Sequence, residues 1–524
     1  MWWLKISKPS TDWVRGKNTL FLLVVVLLTI PAVFPLLKSG FIVTDDGGWM
    51  VIRLSAFYDT LRDGQIPARF LERLNFGYGY PVSNFLYPGF LYIGSVIHLL
   101  GFSFIDTVKI LFGLSLVFSG IFSFFWLRRL FGNLDSVIGA LVYVYFPYHL
   151  FDVYKRGSIG EALSISIVPL AFYGIEKAST ILTGLSVFLI LILHNTLAIF
   201  FLPLIPIYAL FRKSFIRSLP GMILGGLMSS FFTIPAIFEL SYTKFSETLI
   251  SNATEYFADI NLIGIISVVV FAGTILLIVI IYKNEFKKIP YVNFLILFSL
   301  IFLSSVFFST NLSAFIWENI NSSFVQFPYR FLSLTILAVS FFASYISYIL
   351  FKKLKIISIG IIAGLIIFSG YSYLTDVSYS DNPEEFYTTN EATTTVQDEY
   401  LPVWVKTKPT FRPENKIEII SGDVVLSNIR VNSSKIEFDT VVNSPSKVRI
   451  NTIYYPGWKA FVEGERREIL YDNEYGVMEL NLEQYDDRVY FSFQEDLLRT
   501  ISDAITVLAA LGLIYYISRP LIKF

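Results

Sequence analysis

The 524 residues are 54% hydrophobic and 17% aromatic with only 16% charged, far more apolar than a soluble domain. Lysine plus arginine and aspartate plus glutamate each number 41, and no basic arm stands apart, so charge gives no sign of a nucleic-acid partner. Without cysteine there is no disulfide, thiolate nucleophile or iron–sulfur ligand, and the redox compartment is left open.

The first segment, MWWLKISKPSTDWVRGKNTL, carries Lys5, Lys8, Arg15 and Lys17 ahead of an apolar run with no small-residue cleavage site. It reads as a retained membrane anchor. Apolar runs then predict helical spans at 18–37, 105–127, 137–148, 162–175, 181–193, 197–210, 220–238, 262–282, 291–308, 331–350, 356–373 and 501–517. That makes about twelve, each needing roughly 17 to 25 residues; the third to sixth are short.

A further run, 85–102, would invert the topology if it crossed. Leaving it as an interfacial or re-entrant segment puts Arg128, Arg129, Lys177, Arg212, Lys213, Arg217, Lys283, Lys287, Lys288, Lys352, Lys353, Lys355, Arg519 and Lys523 on the cytoplasmic side, as positive charge distributes in membranes. Both termini are then expected in the cytoplasm of a multi-pass cell-membrane protein. The chain divides into a transmembrane module, 1–373, whose outer loop 38–104 carries interfacial helices, an extracytoplasmic β-rich domain, 374–500, and a last span with its tail, 501–524. Within 416–494, stretches such as KIEFDTVV and RVYFSF alternate with period two between NSPS, PGW, EGE and YDNEYG turns. About seven or eight antiparallel strands in a β-sandwich or jelly-roll-like domain follow.

The outer loop opens on FIVTDDGGWM, with Asp45 and Asp46 side by side at the membrane rim. In the following WMVIRLSAFYDTLRDGQIP, Met50, Leu54, Phe57 and Leu61 recur at helical spacing, which predicts an amphipathic helix in the interface, stopped at Gly64 and Pro67. Either acid could cap that helix. Equally, a carboxylate at the rim could act as general base on an acceptor hydroxyl, with Gly47 and Gly48 leaving room for substrate.

Such a base suits a sugar carried on a membrane lipid phosphate, and the site then needs cations. FDVYKRGSIGEAL places Lys155, Arg156 and Glu161 at one rim, and FVQFPYRFL adds Arg330. The arginines suit phosphate better than the lysine does, though basic side chains at helix ends also snorkel to headgroups. Of three histidines, His98, His149 and His194, none has a metal-ligand partner at helical spacing. His194 and Asn195 lie where they could touch a sugar or hydrogen-bond at the interface. Asp45 or Asp46 could hold a divalent cation through oxygen; no cofactor is required.

An acidic pair after the first span, an outer loop with interfacial helices and a long apolar body followed by an outer β domain resemble the GT-C-type membrane glycosyltransferases. More narrowly, DDGGWMVIRLSAFYDTLRDGQIPARF, LNFGYGYPVSNFLYPGFLYIG, VYKRGSIGEALSISIVPLAFY, LHNTLA, FFTIPAIFEL, QFPYRF and YYPGWKAFVEG are similar to bacterial membrane proteins labelled 6-pyruvoyl-tetrahydropterin synthase-related. Pterin chemistry is not implied, since that reaction is soluble and zinc-dependent. The resemblance implies that Asp46 takes the place of the first-loop catalytic aspartate. Asp45 stands where relatives often carry histidine, and Arg53, Arg156, Glu161 and Arg330 would face the lipid-phosphate cavity.

The expected function is therefore transfer of a sugar from a polyprenyl-phosphate donor to an extracytoplasmic glycan, lipid or protein. Two other classes stay open: a transporter or flippase of lipid-linked sugars, and a non-catalytic envelope assembly factor with a glycan-binding β domain. Four asparagine sequons, at Asn252, Asn311, Asn321 and Asn432, fall on the outer side in this topology.

Overall fold

The computed structural model describes residues 14–247, 253–282, 288–319, 325–350 and 352–522. Lys5, Lys8, Lys283, Lys287 and Lys523 and the sequons at Asn252 and Asn321 lie outside them. Eight helices in the described residues are long and apolar enough to cross a membrane: Thr19–Leu37, Phe104–Phe131, Ile159–Glu176, Ile265–Tyr282, Val292–Ser309, Pro328–Ile349, Leu354–Thr375 and Leu497–Ser518. Two bent pairs, Asn133–Val144 with Pro147–Arg156 (43°) and Phe215–Met228 with Ser230–Tyr242 (63°), raise the number to ten. The protein is a polytopic helical membrane protein with a β domain.

The twelve expected spans correspond to these eight helices, the two bent pairs and two shorter apolar helices. Thr180–Leu193 and Asn195–Phe211 have 14 and 17 residues, and at 1.5 Å per residue they rise about 21 and 26 Å against a core of about 30 Å. The run at 85–102 contains an 11-residue helix, Gly89–Leu99, which rises only about 16 Å.

The amphipathic helix forms as Gly47–Arg62 and ends at Asp63 and Gly64. It does not rest its apolar stripe on lipid. Phe57 meets the edge of Tyr92, Leu54 closes on Gly94 of the Gly89–Leu99 helix, and even Arg53 is buried. Protein covers this helix because the outer loop folds back over it.

Strands β1 (Phe41–Ile42) and β2 (Tyr379–Ser380) pair antiparallel, tying the start of the outer loop to the chain leaving the Leu354–Thr375 span. Eight further strands follow: β3 (Ile417–Ser421), β4 (Val424–Val431), β5 (Lys435–Val442), β6 (Ser446–Ile453), β7 (Trp458–Val462), β8 (Glu465–Arg467), β9 (Val477–Leu482) and β10 (Arg488–Phe493); buried and more open residues alternate along β5, β7 and β10. They form a five-stranded sheet, β4-β5-β10-β7-β8, and a three-stranded sheet, β3-β6-β9, all antiparallel. Phe438, Phe491 and Trp458 of one and Ile450 and Leu480 of the other share a single core.

Two buried arginines stitch this domain to the helices. Arg69 of the outer loop donates to Glu495 (2.8 Å), Asp503 (3.0 Å), Asn84 Oδ1 (3.2 Å) and the carbonyl of Phe231 beside the break of the second bent pair. Arg499, at the start of the last span, makes two 2.7 Å bonds to Glu239, which also accepts from Tyr455 and Asn84. Buried charge is tolerated here because each ion is paired and hydrogen-bonded.

Candidate active site at the rim of the helix bundle

The acidic loop is held by backbone bonds to a distant turn. The amides of Asp45 and Asp46 donate to the carbonyls of Lys155 (3.0 Å) and Arg156 (2.7 Å). These carbonyls are free to accept because Asp152–Arg156 is a π-turn at the end of the first bent pair, the kind of helix irregularity often found at functional sites. Gly157 follows at φ +68°, and a Cβ there would strike Thr44 and the Gly47 backbone; only glycine permits the approach.

The helix after the acids is capped by neither of them. Thr44 Oγ1 accepts from the Gly47 amide (3.1 Å), while Asp46 occupies the cap position without a side-chain cap bond. Both carboxylates are thereby left for other work. Thr44→Ala is expected to cost about 1 kcal/mol, typical of a lost cap, and to loosen the acidic loop, read as a lowered unfolding temperature.

Asp46 Oδ2 lies 3.3 Å from Arg156 Nη2. Arg156 Nη1 bonds Glu161 Oε1 at 2.5 Å, and Arg330 Nε bonds the same oxygen at 2.7 Å. Sharing one oxygen sets the two guanidinium groups side by side, and both lie over the Phe327 ring, 5.0 and 4.8 Å from its centroid. The second oxygen of Glu161 accepts from the Tyr148 hydroxyl (2.8 Å). Glu161 is fully buried in the first turn of the Ile159–Glu176 span. Preceding Gly160 lets that turn close on the Tyr87 ring and the Leu193 carbonyl, where a Cβ would clash.

Arg330 is steadied further by Gln326 Oε1 (2.7 Å) and the Val325 carbonyl (2.9 Å) through Nη1. Among the described residues nothing accepts from its Nη2. The His194 ring packs on Tyr87, 4.7 Å between centroids, and its Nδ1 accepts from the Leu197 amide (3.2 Å). The remaining ring proton therefore sits on Nε2, 3.6 Å from Glu161 Oε1.

Of the residues expected here, Asp46, Arg156, Glu161, His194 and Arg330 converge, and Asp45 stands beside them. Arg53 and Asn195 do not join. Arg53 spends its guanidinium on Thr394, donating to Oγ1 (3.2 Å) and to the carbonyl (2.5 Å). Asn195 Nδ2 bonds the Phe85 carbonyl (2.7 Å) and braces the outer loop. Lys155 points away to the Asp376 carbonyl (2.9 Å).

Sequence reasoning passed over Asp152, Tyr148, Tyr87 and Phe327. Asp152 is buried 3.7 Å from Arg156, and neither of its oxygens has a hydrogen-bond partner; its i,i+4 spacing to Arg156 was a usable signal. Phe327 flanks Arg330 within QFPYRF. Nothing in the order of residues pointed to Tyr148 or Tyr87.

Partial burial and the neighbouring Asp46 charge raise Asp45 above the ordinary carboxylate range, against a lowering by Arg156. The folded protein thus holds the Asp45 proton more tightly than the unfolded chain, and stability is lost as pH rises through the folded value. Asp45→Asn removes that loss, so its unfolding temperature should gain on the wild type as pH climbs from about 4 toward 7. A constant gap across pH would disprove the assignment.

Among the described residues no group of three or more His, Cys, Asp or Glu side chains is gathered as metal ligands. Asp45 and Asp46 offer two adjacent carboxylates, Asp46 already facing Arg156, and no step is assigned to a metal.

No family model matches the chain. A curated protein of Lactococcus lactis subsp. cremoris (strain MG1363), described as uncharacterized, is 24% identical over 270 residues, covering 46% of this chain and 44% of its own length. Among solved structures, the arabinofuranosyltransferase AftD from Mycobacteria overlaps with TM-score 0.43 and 14% identity, over 69% of this chain and 27% of that one. The Archaeoglobus fulgidus oligosaccharyltransferase in its apo form overlaps with TM-score 0.40 and 10% identity, over 73% of this chain and 57% of that one. The chain thus spans less than two thirds of each of these proteins, none carries the pterin-synthase-related label, and donor and acceptor stay undefined.

Proposed function

We propose that this chain is an integral-membrane glycosyltransferase that moves a sugar from a polyprenyl-phosphate donor to an extracytoplasmic glycan, lipid or protein. One observation carries the reading: Asp46, Arg156, Glu161 and Arg330, brought by three separate stretches of the chain, form a continuous charged chain at one rim of the bundle. Asp46 takes the proton from the acceptor hydroxyl as its oxygen bonds the anomeric carbon. The bond from that carbon to the phosphate oxygen breaks, and the lipid phosphate leaves with the electron pair.

Arg156 and Arg330 stabilise the negative charge growing on the phosphate. Among the described residues the donors left for it are Arg330 Nη2 and Arg156 Nη2, the latter held by its 3.3 Å contact to Asp46. Glu161 acts as the fixed counter-charge that keeps both guanidinium groups aimed at one point when no phosphate is bound. His194 and Tyr87 wall the site toward the outer loop.

The β domain and the acidic loop face the extracytoplasmic side, with both termini in the cytoplasm. Chain continuity supports this, because Arg128, Arg129, Arg212 and Lys355 fall at helix ends opposite those that meet the acids, the bias expected of cytoplasmic ends. The function is tested by reconstituting the purified protein in liposomes with radiolabelled polyprenyl-phosphate sugars and a cell-envelope acceptor fraction. Label should move from the lipid to the acceptor; retention on the lipid with every donor would refute the transferase.

A further inference from the structure

The second bent pair turns by 63° at its break, and its outer arm, Ser230–Tyr242, ends on a surface that the transfer chemistry does not use. Ile237 is 72% exposed, Phe238 65% and Tyr242 40%. Side chains this apolar and this exposed on a spanning element face lipid. The chain from the β domain runs directly against this end. The Val403 amide donates to the Tyr242 carbonyl (2.9 Å), Thr243 bridges Pro402, and the Lys244 amide donates to the Leu401 carbonyl (2.9 Å).

Four aromatic rings gather where these segments meet. Trp404 lies 6.4 Å from Tyr242, 5.8 Å from Tyr454 and 5.5 Å from Tyr471, and Tyr454 and Tyr471 stack at 4.1 Å. The indole N–H of Trp404 is spent on the Tyr454 carbonyl (3.0 Å). Beside them Val403 is 47% exposed, and the exposed pair Lys406 and Asp472 (2.6 Å) completes the edge. Half-buried Trp and Tyr with an apolar neighbour and charged tips describe a group suited to the boundary between hydrocarbon and headgroups.

We propose that this face of the β domain, Val403, Trp404, Tyr454 and Tyr471 together with Tyr242, is seated in the headgroup layer of the bilayer and sets the height of the domain above the membrane. Lipid is favoured over a bound glycan by continuity: the patch prolongs the outward apolar surface of Ile237 and Phe238 without a gap in the chain. The seat does not depend on the transferase reading, since it follows from the spans and the contacts at Tyr242.

The absence of cysteine makes a direct test clean, because one introduced thiol carries one spin label. Val403→Cys and Tyr471→Cys, labelled with a nitroxide and reconstituted in phosphatidylcholine–phosphatidylglycerol liposomes, are compared by electron paramagnetic resonance with labels at two other exposed residues. These are Leu508, on the last span, and Val425, on edge strand β4. The ratio of oxygen to polar-nickel accessibility at Val403 and Tyr471 should exceed that at Val425 several-fold and approach that at Leu508. Ratios equal to that at Val425 overturn the proposal. If a soluble oligosaccharide then immobilises the two labels, the aromatic face is a glycan site instead.

Discussion

Asp46→Asn is expected to lower transfer by about 10²- to 10⁴-fold, the usual contribution of a general base, while the protein unfolds at nearly the wild-type temperature. The two halves of this expectation have separate grounds. Asparagine keeps the shape but cannot take a proton. The structural cost is small because the ion pair lost, to Arg156 at 3.3 Å, is long, and the Asp46 side chain is partly open to solvent. A pair of that kind contributes about 1 kcal/mol or less. The helix cap survives because Thr44, not Asp46, supplies it. Full transfer by a well-folded Asp46→Asn protein would eliminate Asp46 as the base, whereas an inactive variant that melts far below the wild type would move its role to folding.

Glu161→Ala should have the opposite profile: severe loss of stability together with loss of activity. Its carboxylate offsets two buried guanidinium groups and accepts from Tyr148. Removing one partner of a buried ion pair costs about 3 to 5 kcal/mol, because the remaining charge is left without compensation. Here two charges are stranded, with Asp46 (3.3 Å) and Asp152 (3.7 Å) the other acids beside Arg156. Thermal unfolding in detergent or lipid reads the loss. Adding Arg330→Met to Glu161→Ala removes one stranded charge and should restore part of the stability, a departure from additivity expected only for residues acting on each other. A double variant no more stable than the single one would show that Glu161 does not serve as the shared counter-charge.

The same logic explains how charge persists in so apolar a chain. Two clusters lie at the β-domain end of the bundle, one around Glu161 and one around Glu239 and Arg69, and in each an acid is shared by more than one donor. The second cluster joins the outer loop, the second bent pair, the β domain and the last span.

Much of the architecture was legible from residue order. Runs of apolar residues depend on nothing but neighbouring positions, so the helices were located, as were the strands between 417 and 493 from their period of two. The acidic loop and the KR and PYR motifs were also visible as charge placed where a span meets water. Tertiary structure decided what these features do. That Thr44 rather than an aspartate caps and that Arg53 turns to Thr394 across 341 positions are settled by packing, for which sequence carries no local sign. The joining of Arg156 and Arg330 on one oxygen of Glu161 belongs to the same class. A side chain commits to whichever partner folding delivers, and an ion in a low-dielectric interior must find its counter-charge wherever the chain has brought it.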